Sequence, residues 1–252
     1  MTDALLLDLS GVLYDGDSII QGALEAVQQV QDSDLQLRFI TNTSQKTRAS
    51  LLQHLRGLGF VVEEDQLFTA VDAARAWLTC RDLRPFCLVH ENIHLEFSDF
   101  DQRDPNAVLV ADAEQGFNYD NLNRAFQLCM QGAPLLGVGY NRYYKLGNKL
   151  HMDVGAFIKA IEFAAGVEAT IVGKPDPEFF NLVIGSTGVE AGRVLMVGDD
   201  VFGDVEGALN AGIPACLVRT GKYRPGDENR IQGSFQLVNS VLEAVQLALN
   251  GS

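Results

Sequence analysis

Several apolar runs in this chain stop abruptly on polar residues. Residues 4–7 end on Asp8, the run containing Leu35, Leu37, Phe39 and Ile40 ends on Thr41 and Asn42, and residues 194–197 end on Gly198 and Asp199. A short, continuous apolar run closed by a turn signal reads as a strand buried on both faces. Helical spacing fills the intervals. Leu24, Val27 and Val30 fall on one face over residues 23–30, and Leu51, Leu52, Leu55 and Leu58 form a stripe over 46–58 that Gly59 ends. Further helices are expected over 71–78, from Glu178, over 204–210 and over 239–249, and a last buried strand over 213–218. Strand and helix alternating at this interval predict parallel βαβ units.

The texture changes near Arg81. Three short strands (86–89, 107–110 and 135–138) and two amphipathic helices (119–130 and 154–165) are separated by Pro-containing polar loops at 99–106 and 131–134. The core-type pattern resumes at the apolar stretch 169–172. The expected class is therefore α/β: a doubly wound, Rossmann-like parallel sheet from residues 1–79 and 169–252, with an α/β cap inserted over 80–168.

In open α/β sheets ligands bind beyond the carboxyl ends of the strands. Asp8, Thr41 and Asp199 all sit at such ends, and Lys174 precedes a helix between the last two. Asp8 taken alone is equally an Asx-turn residue. Taken together the four describe a phosphate site. Asp8 and Asp199 suit a hard cation such as Mg²⁺, which takes one or two carboxylates and keeps waters and substrate oxygens. Thr41 can donate to a phosphoryl oxygen, and the Lys174 ammonium can neutralise the moving charge. The turn Ser10-Gly11 is expected to offer backbone N–H groups to the same anion. An aspartate can also attack phosphorus and form an aspartyl-phosphate, and Asp8 is the candidate.

Charge narrows the partners. A formal charge of -14 over 252 residues repels nucleic acid and acidic membranes. No 18-residue apolar run is present and the amino-terminal residues are acidic, so neither a membrane span nor a signal peptide is expected, and the reading is cytoplasmic. Cys80, Cys87, Cys129 and Cys216 form no CxxC pair and read as small buried hydrophobes. His90-Glu91-Asn92-Ile93-His94 matches HExxH, but it follows a strand rather than lying on a long helix, and no third ligand is evident. Arg142, Tyr143, Tyr144 and Lys145 suit either contact with a phosphorylated substrate or a solvated loop, as do Arg219 and Lys222.

Four ordered stretches, DLSGVL from Asp8, the Thr41-Asn42 pair, GKP from Gly173 and GDDVFGD from Gly198, resemble the motifs of the haloacid dehalogenase superfamily. The likeness is to its phosphatases with a large α/β cap between the second and third motifs. It extends outside the motifs, through NRYYK, MDVGAFIKAIEFAAG and RTGKYRPGDE, to a subgroup acting on phospholysine, phosphohistidine and pyrophosphate. The resemblance implies that Asp8 is nucleophile and Mg²⁺ ligand, that Ser10 gives its carbonyl to the metal, and that Thr41 and Asn42 bind the phosphoryl group. It further implies that Lys174 orients both, Asp199 ligates the metal, and Asp204 supports it. A small phosphorylated substrate or a phosphorylated side chain is the implied partner, with pairing into a homodimer. Most such phosphatases carry a second aspartate where Ser10 stands, to protonate the leaving group, a role typically worth about 10²–10⁴-fold. Substrates with undemanding leaving groups are therefore expected: phosphoramidates, pyrophosphate or aryl phosphates. A dehalogenase of the same fold and a feeble phospho-ligand binder are the alternatives.

Overall fold

The computed structural model describes residues 2–146 and 149–251, without the side chains of Lys145 and Leu146. In chain order the strands and helices are β1 (Ala4–Asp8), the hairpin β2 (Tyr14–Asp15) and β3 (Ser18–Ile19), α1 (Ala23–Gln31), β4 (Gln36–Thr41), α2 (Arg48–Gly57), β5 (Leu67–Thr69) and α3 (Ala70–Thr79). There follow β6 (Pro85–Leu88), β7 (Ala107–Val110), α4 (Tyr119–Met130), β8 (Leu135–Gly137), the hairpin β9 (Tyr143–Leu146) and β10 (Lys149–Met152), α5 (Val154–Ala165) and β11 (Thr170–Ile171). The chain closes through α6 (Pro177–Thr187), β12 (Val194–Gly198), α7 (Gly207–Asn210), β13 (Ala215–Val218), β14 (Gln236–Val238) and α8 (Val241–Asn250).

The larger sheet is parallel throughout, in the order β14-β13-β12-β1-β4-β5. Its centre is β1, in register with β12 at Leu7↔Val197 and with β4 at Leu7↔Phe39. Every residue of β1 is buried, and the strand's two-residue period divides them between two cores. Leu5 and Leu7 pack with α1, α2 and α8, whereas Ala4 and Leu6 pack with α6, α7 and the turn that precedes α7. That division is what doubly wound means physically. Truncating Leu7 to Ala would cost about 2–5 kcal/mol. Side-chain caps start the helices where the sequence supplies them: Thr47 accepts from the Ser50 N–H, Thr69 from Asp72, and Asp176 from Glu178, with Pro177 in the first turn.

A second parallel sheet, β11-β8-β7-β6, forms the cap. Two features differ from the boundaries expected at 80 and 168. Thr170–Ile171 pairs with β8 and so belongs to the cap sheet. Helix α3 buries Ala70, Val71, Ala74 and Leu78 with Leu109 and Leu136 on one face of that sheet, while α4 and α5 cover the other. The chain thus enters the cap about ten residues early.

Smaller corrections have simple causes. β5, β11 and β14 are two or three residues long, too short for a hydrophobic period to announce them. The polar stretch after Tyr14 and the segment after Arg142 are both hairpins. In α1 the buried face is Ala23, Ala26, Val27 and Val30, and Leu24 is exposed. Residues 201–206 form a π-helical turn before α7 takes over. Cys80 is exposed, unlike Cys129 and Cys216.

Candidate active site

Because β4, β1 and β12 are neighbours, their carboxyl ends bring Thr41, Asp8 and Asp199 side by side. Lys174 joins them from the loop between β11 and α6. Its Nζ lies 2.5 Å from Asp8 Oδ1 and 2.7 Å from Asp204 Oδ1, and all three side chains are buried. Burial disfavours the charged amine, but the carboxylates of Asp204 and Asp8 outweigh it and hold Lys174 protonated. Asp204 reaches the cluster from the π-helical turn and accepts the Asp200 N–H through Oδ2 at 3.1 Å.

Oxygens of Asp8, Asp199 and Asp204 lie within 4.8 Å of one another, the one such acid, His or Cys group among the described residues. Asp199 accepts the Lys222 N–H through Oδ2 at 2.7 Å, while its buried Oδ1 has no hydrogen-bond partner. An orphaned carboxylate oxygen facing two further carboxylates costs free energy unless a cation or proton meets it. The donor set is hard oxygen, and it fits a divalent cation. Burial raises the Asp199 carboxyl well above the ordinary range, with Lys222 opposing and Asp8 and Asp204 adding repulsion. Burial likewise pushes Asp204 up to about 6 against the pull of Lys174.

Two glycines permit this crowding. A Cβ on Gly11 (φ +85) would collide with Asp199 Oδ2, and one on Gly221 (φ +61) would collide with the same atom. Gly11 serves through this close approach, not through its N–H, which donates to the Tyr14 carbonyl at 2.7 Å. The expectation that the Gly11 N–H meets the anion is corrected accordingly. Ser10 is exposed two residues beyond Asp8. Thr41 Oγ1 accepts the Thr43 N–H at 3.0 Å and lies 3.0 Å from Thr43 Oγ1. The Asn42 side chain is engaged at both ends by the backbone of Lys174.

Between the two sheets lies a cavity of about 530 Å³. Arg142, Tyr143 and Lys159 line it from the cap, and Asp199, Glu206 and Lys222 from the core. Tyr144 is not among its walls. It stacks on His151 across the β9–β10 hairpin with ring centroids 5.5 Å apart. The Lys145 side chain lies outside the described residues. Lys222 is half-buried with Nζ 2.7 Å from Asp200 Oδ2, whereas Arg219 is exposed and bonds Asn239. The Lys222–Asp200 pair was the part least visible in sequence, its only signal being a second acid beside Asp199 and a basic residue in a glycine loop. His90 and His94 do not converge on a metal: His90 Nδ1 accepts the Asn92 N–H and His94 is exposed.

A doubly wound sheet with an acid–lysine cluster at its carboxyl edge and a second α/β sheet across a cavity defines a capped phosphatase. A haloacid dehalogenase-like hydrolase profile matches residues 5–102, and a second HAD-hydrolase-like profile matches residues 171–244. The phospholysine phosphohistidine inorganic pyrophosphate phosphatase of Rattus norvegicus is 46% identical, over 97% of this chain and 93% of its own. Its counterpart from Homo sapiens is 44% identical over the same shares. A crystal structure of 4-nitrophenylphosphatase from Thermotoga maritima matches with a TM-score of 0.87 and 25% identity, covering 97% of each chain. NagD from E. coli K-12 shares the fold, with a TM-score of 0.82 at 22% identity over 96% of this chain and 98% of its own. The chain belongs to the haloacid dehalogenase-like hydrolases, and within them to the phosphatases with an α/β cap sheet. Among the described residues no helix is long and apolar enough to cross a membrane.

Proposed function

We propose that this protein is a Mg²⁺-dependent phosphohydrolase that cleaves P–N and P–O–P bonds through a phosphoenzyme on Asp8. The observation that carries the reading is the contact of Asp8 with Lys174 inside the buried carboxylate cluster. Asp8 and Asp199, with the Ser10 carbonyl and with Asp204 behind them, would hold the cation, which when bound supplies positive charge to the phosphoryl oxygens. Asp8 attacks phosphorus, its new O–P bond replaces the bond to the leaving nitrogen or oxygen, and the electron pair of that bond departs with the leaving group. Water then attacks the aspartyl-phosphate, restoring the Asp8 carboxylate and releasing inorganic phosphate. Lys174 neutralises charge in both steps, and the Thr41 hydroxyl orients a phosphoryl oxygen.

The substrate class follows from position 10 and from the relatives. With Ser10 in place of a carboxylic acid, nothing next to Asp8 in sequence protonates a poor leaving group. The phosphatases most like this chain are named for phospholysine, phosphohistidine and pyrophosphate. Arg142 and Tyr143, on the cavity wall, are the cap residues we assign to the leaving group. Tyr144, stacked on His151 in the same hairpin, supports them. A homodimer and a reducing, cytoplasmic setting complete the reading, the latter supported by four free thiols.

The test is a Mg²⁺-dependent screen with p-nitrophenyl phosphate, pyrophosphate, a phosphoramidate and alkyl monophosphates, with Asp8→Asn as blank. Preference for the first three is expected. Silence across the panel with folded protein would favour a phospho-ligand binder.

A further inference from the structure

The geometry points to Asn42 as a positioning residue for Lys174, acting through the lysine backbone rather than through the phosphoryl group. The inference rests on the reading of Lys174 as the phosphoryl-neutralising cation. Asn42 Nδ2 donates to the Lys174 carbonyl at 2.7 Å, and Asn42 Oδ1 accepts the Lys174 N–H at 2.9 Å. Both polar ends of one amide are therefore given to the backbone of one residue, 132 positions away in sequence. Such a two-point contact fixes rotation as well as distance, which a single hydrogen bond does not. Asn42 directly follows Thr41, so the loop carrying the hydroxyl and the loop carrying the ammonium are locked together by one side chain.

The surroundings are shaped to this amide. A Cβ on Gly139 would come within 2.5 Å of Asn42 Nδ2, and a Cβ on Gly173 within 2.5 Å of Asn42 Oδ1. The two glycines follow β8 and β11, the cap strands that pair with one another, so the amide slots between two segments leaving the cap sheet. A group that merely touched substrate would not need its outer faces cleared by glycine on both sides. With the Lys174 backbone held, Nζ reaches Asp8 Oδ1 and Asp204 Oδ1 together. Misplacing such a group by about 1 Å can cost about 10²-fold in rate.

The experiment is a double-mutant cycle in the full chain with p-nitrophenyl phosphate and Mg²⁺, using Asn42→Ala, Lys174→Met and the pair. Asn42→Ala is expected to lower kcat by about 10–10²-fold while KM moves less than about threefold. In the Lys174→Met background it should change kcat less than about twofold, because its route of action is already gone. Inorganic phosphate binding by calorimetry should follow the same pattern, weakened by Asn42→Ala only when Lys174 is present. Additive losses, or a defect confined to KM, would overturn the assignment and make Asn42 a phosphate contact. A wild-type chain without turnover would instead sink the phosphatase reading, so the two failures are separable. If Asn42→Ala does not fold, the neutral Asn42→Ser variant goes through the same cycle under the same criteria.

Discussion

Lys174 Nζ and Asp8 Oδ1 meet at 2.5 Å across 166 residues of sequence. Among the described residues the ammonium is the one cation paired with both Asp8 and Asp204, and both carboxylates are buried. Removing one member of a buried ion cluster leaves the others uncompensated, at a cost of about 3–5 kcal/mol. Lys174→Met should therefore lower Tm markedly as well as reduce turnover to a small, still measurable residual rate. Asp8→Asn removes a negative charge from an acid-rich cluster and keeps the side-chain volume, so it should abolish turnover with little loss of Tm. Thermal unfolding of the two purified variants checks this, and an Asp8→Asn protein less stable than Lys174→Met would contradict it.

The carboxylate cluster also sets a pH dependence. Burial raises Asp204 to about 6 and Asp199 well above the ordinary range, so the folded chain holds these protons more tightly than the unfolded chain does. The destabilisation from a charged Asp204 is full above pH about 6 and is relieved as pH falls toward the unfolded carboxylate value near 4, and the raised Asp199 acts in the same direction. A divalent cation must displace the same protons. The rise in Tm on adding Mg²⁺ should accordingly be larger at pH 7.5 than at pH 5. Equal shifts at both pH values, measured by scanning calorimetry, would mean that the cluster does not take up protons in this range.

What the sequence made legible follows from how far each signal reaches along the chain. Asp8, Thr41 and Asp199 were readable because buried parallel strands are continuous apolar runs, and the first polar residue after such a run marks the carboxyl edge. The amphipathic helices α4 and α5 were readable to the residue, since twelve residues carry three helical turns of period. Helix α3 shows an apolar stripe too, but a stripe does not say which sheet it covers, and the cap sheet takes it. The Lys222–Asp200 pair and the Asn42–Lys174 clamp depend on side chains brought together only by the fold. The Gly11 N–H was misassigned for the same reason, because its Tyr14 partner depends on the turn's conformation.

Gly11 gives a sharper test of the close packing at the site. Its φ of +85 already disfavours any L side chain, and a Cβ there would overlap Asp199 Oδ2. The clash is with the oxygen that accepts the Lys222 N–H, so Asp199 would be driven from its place. Gly11→Ala is expected to lower Mg²⁺ affinity at least about tenfold and to reduce Tm, beyond the roughly 1 kcal/mol of an unfavourable backbone alone. Gly16 provides the control, since it has a positive φ of +61 but nothing within 4 Å of the position its Cβ would take. Gly16→Ala should cost stability but leave Mg²⁺ affinity unchanged, and equal loss of Mg²⁺ affinity in both variants would refute the packing argument.

The last prediction concerns what Ser10 withholds. An alkyl alkoxide is a poor leaving group and gains from a positioned acid, whereas p-nitrophenolate leaves without one, and general acid help is worth about 10²–10⁴-fold where it is needed. Ser10 is exposed, so a longer acidic side chain can be accommodated there without displacing the buried cluster. In Ser10→Asp the ratio of alkyl to aryl phosphate turnover, taken as kcat/KM, should rise by about tenfold or more, with Mg²⁺ dependence retained. The added carboxylate must be protonated in the first step, so the alkyl rate should fall at high pH while the aryl rate does not. A ratio unchanged from wild type, in a variant with normal Tm and normal aryl turnover, would show that protonation of the leaving group is not what position 10 limits, and the substrate preference would then have to lie in Arg142, Tyr143 and the rest of the cavity wall.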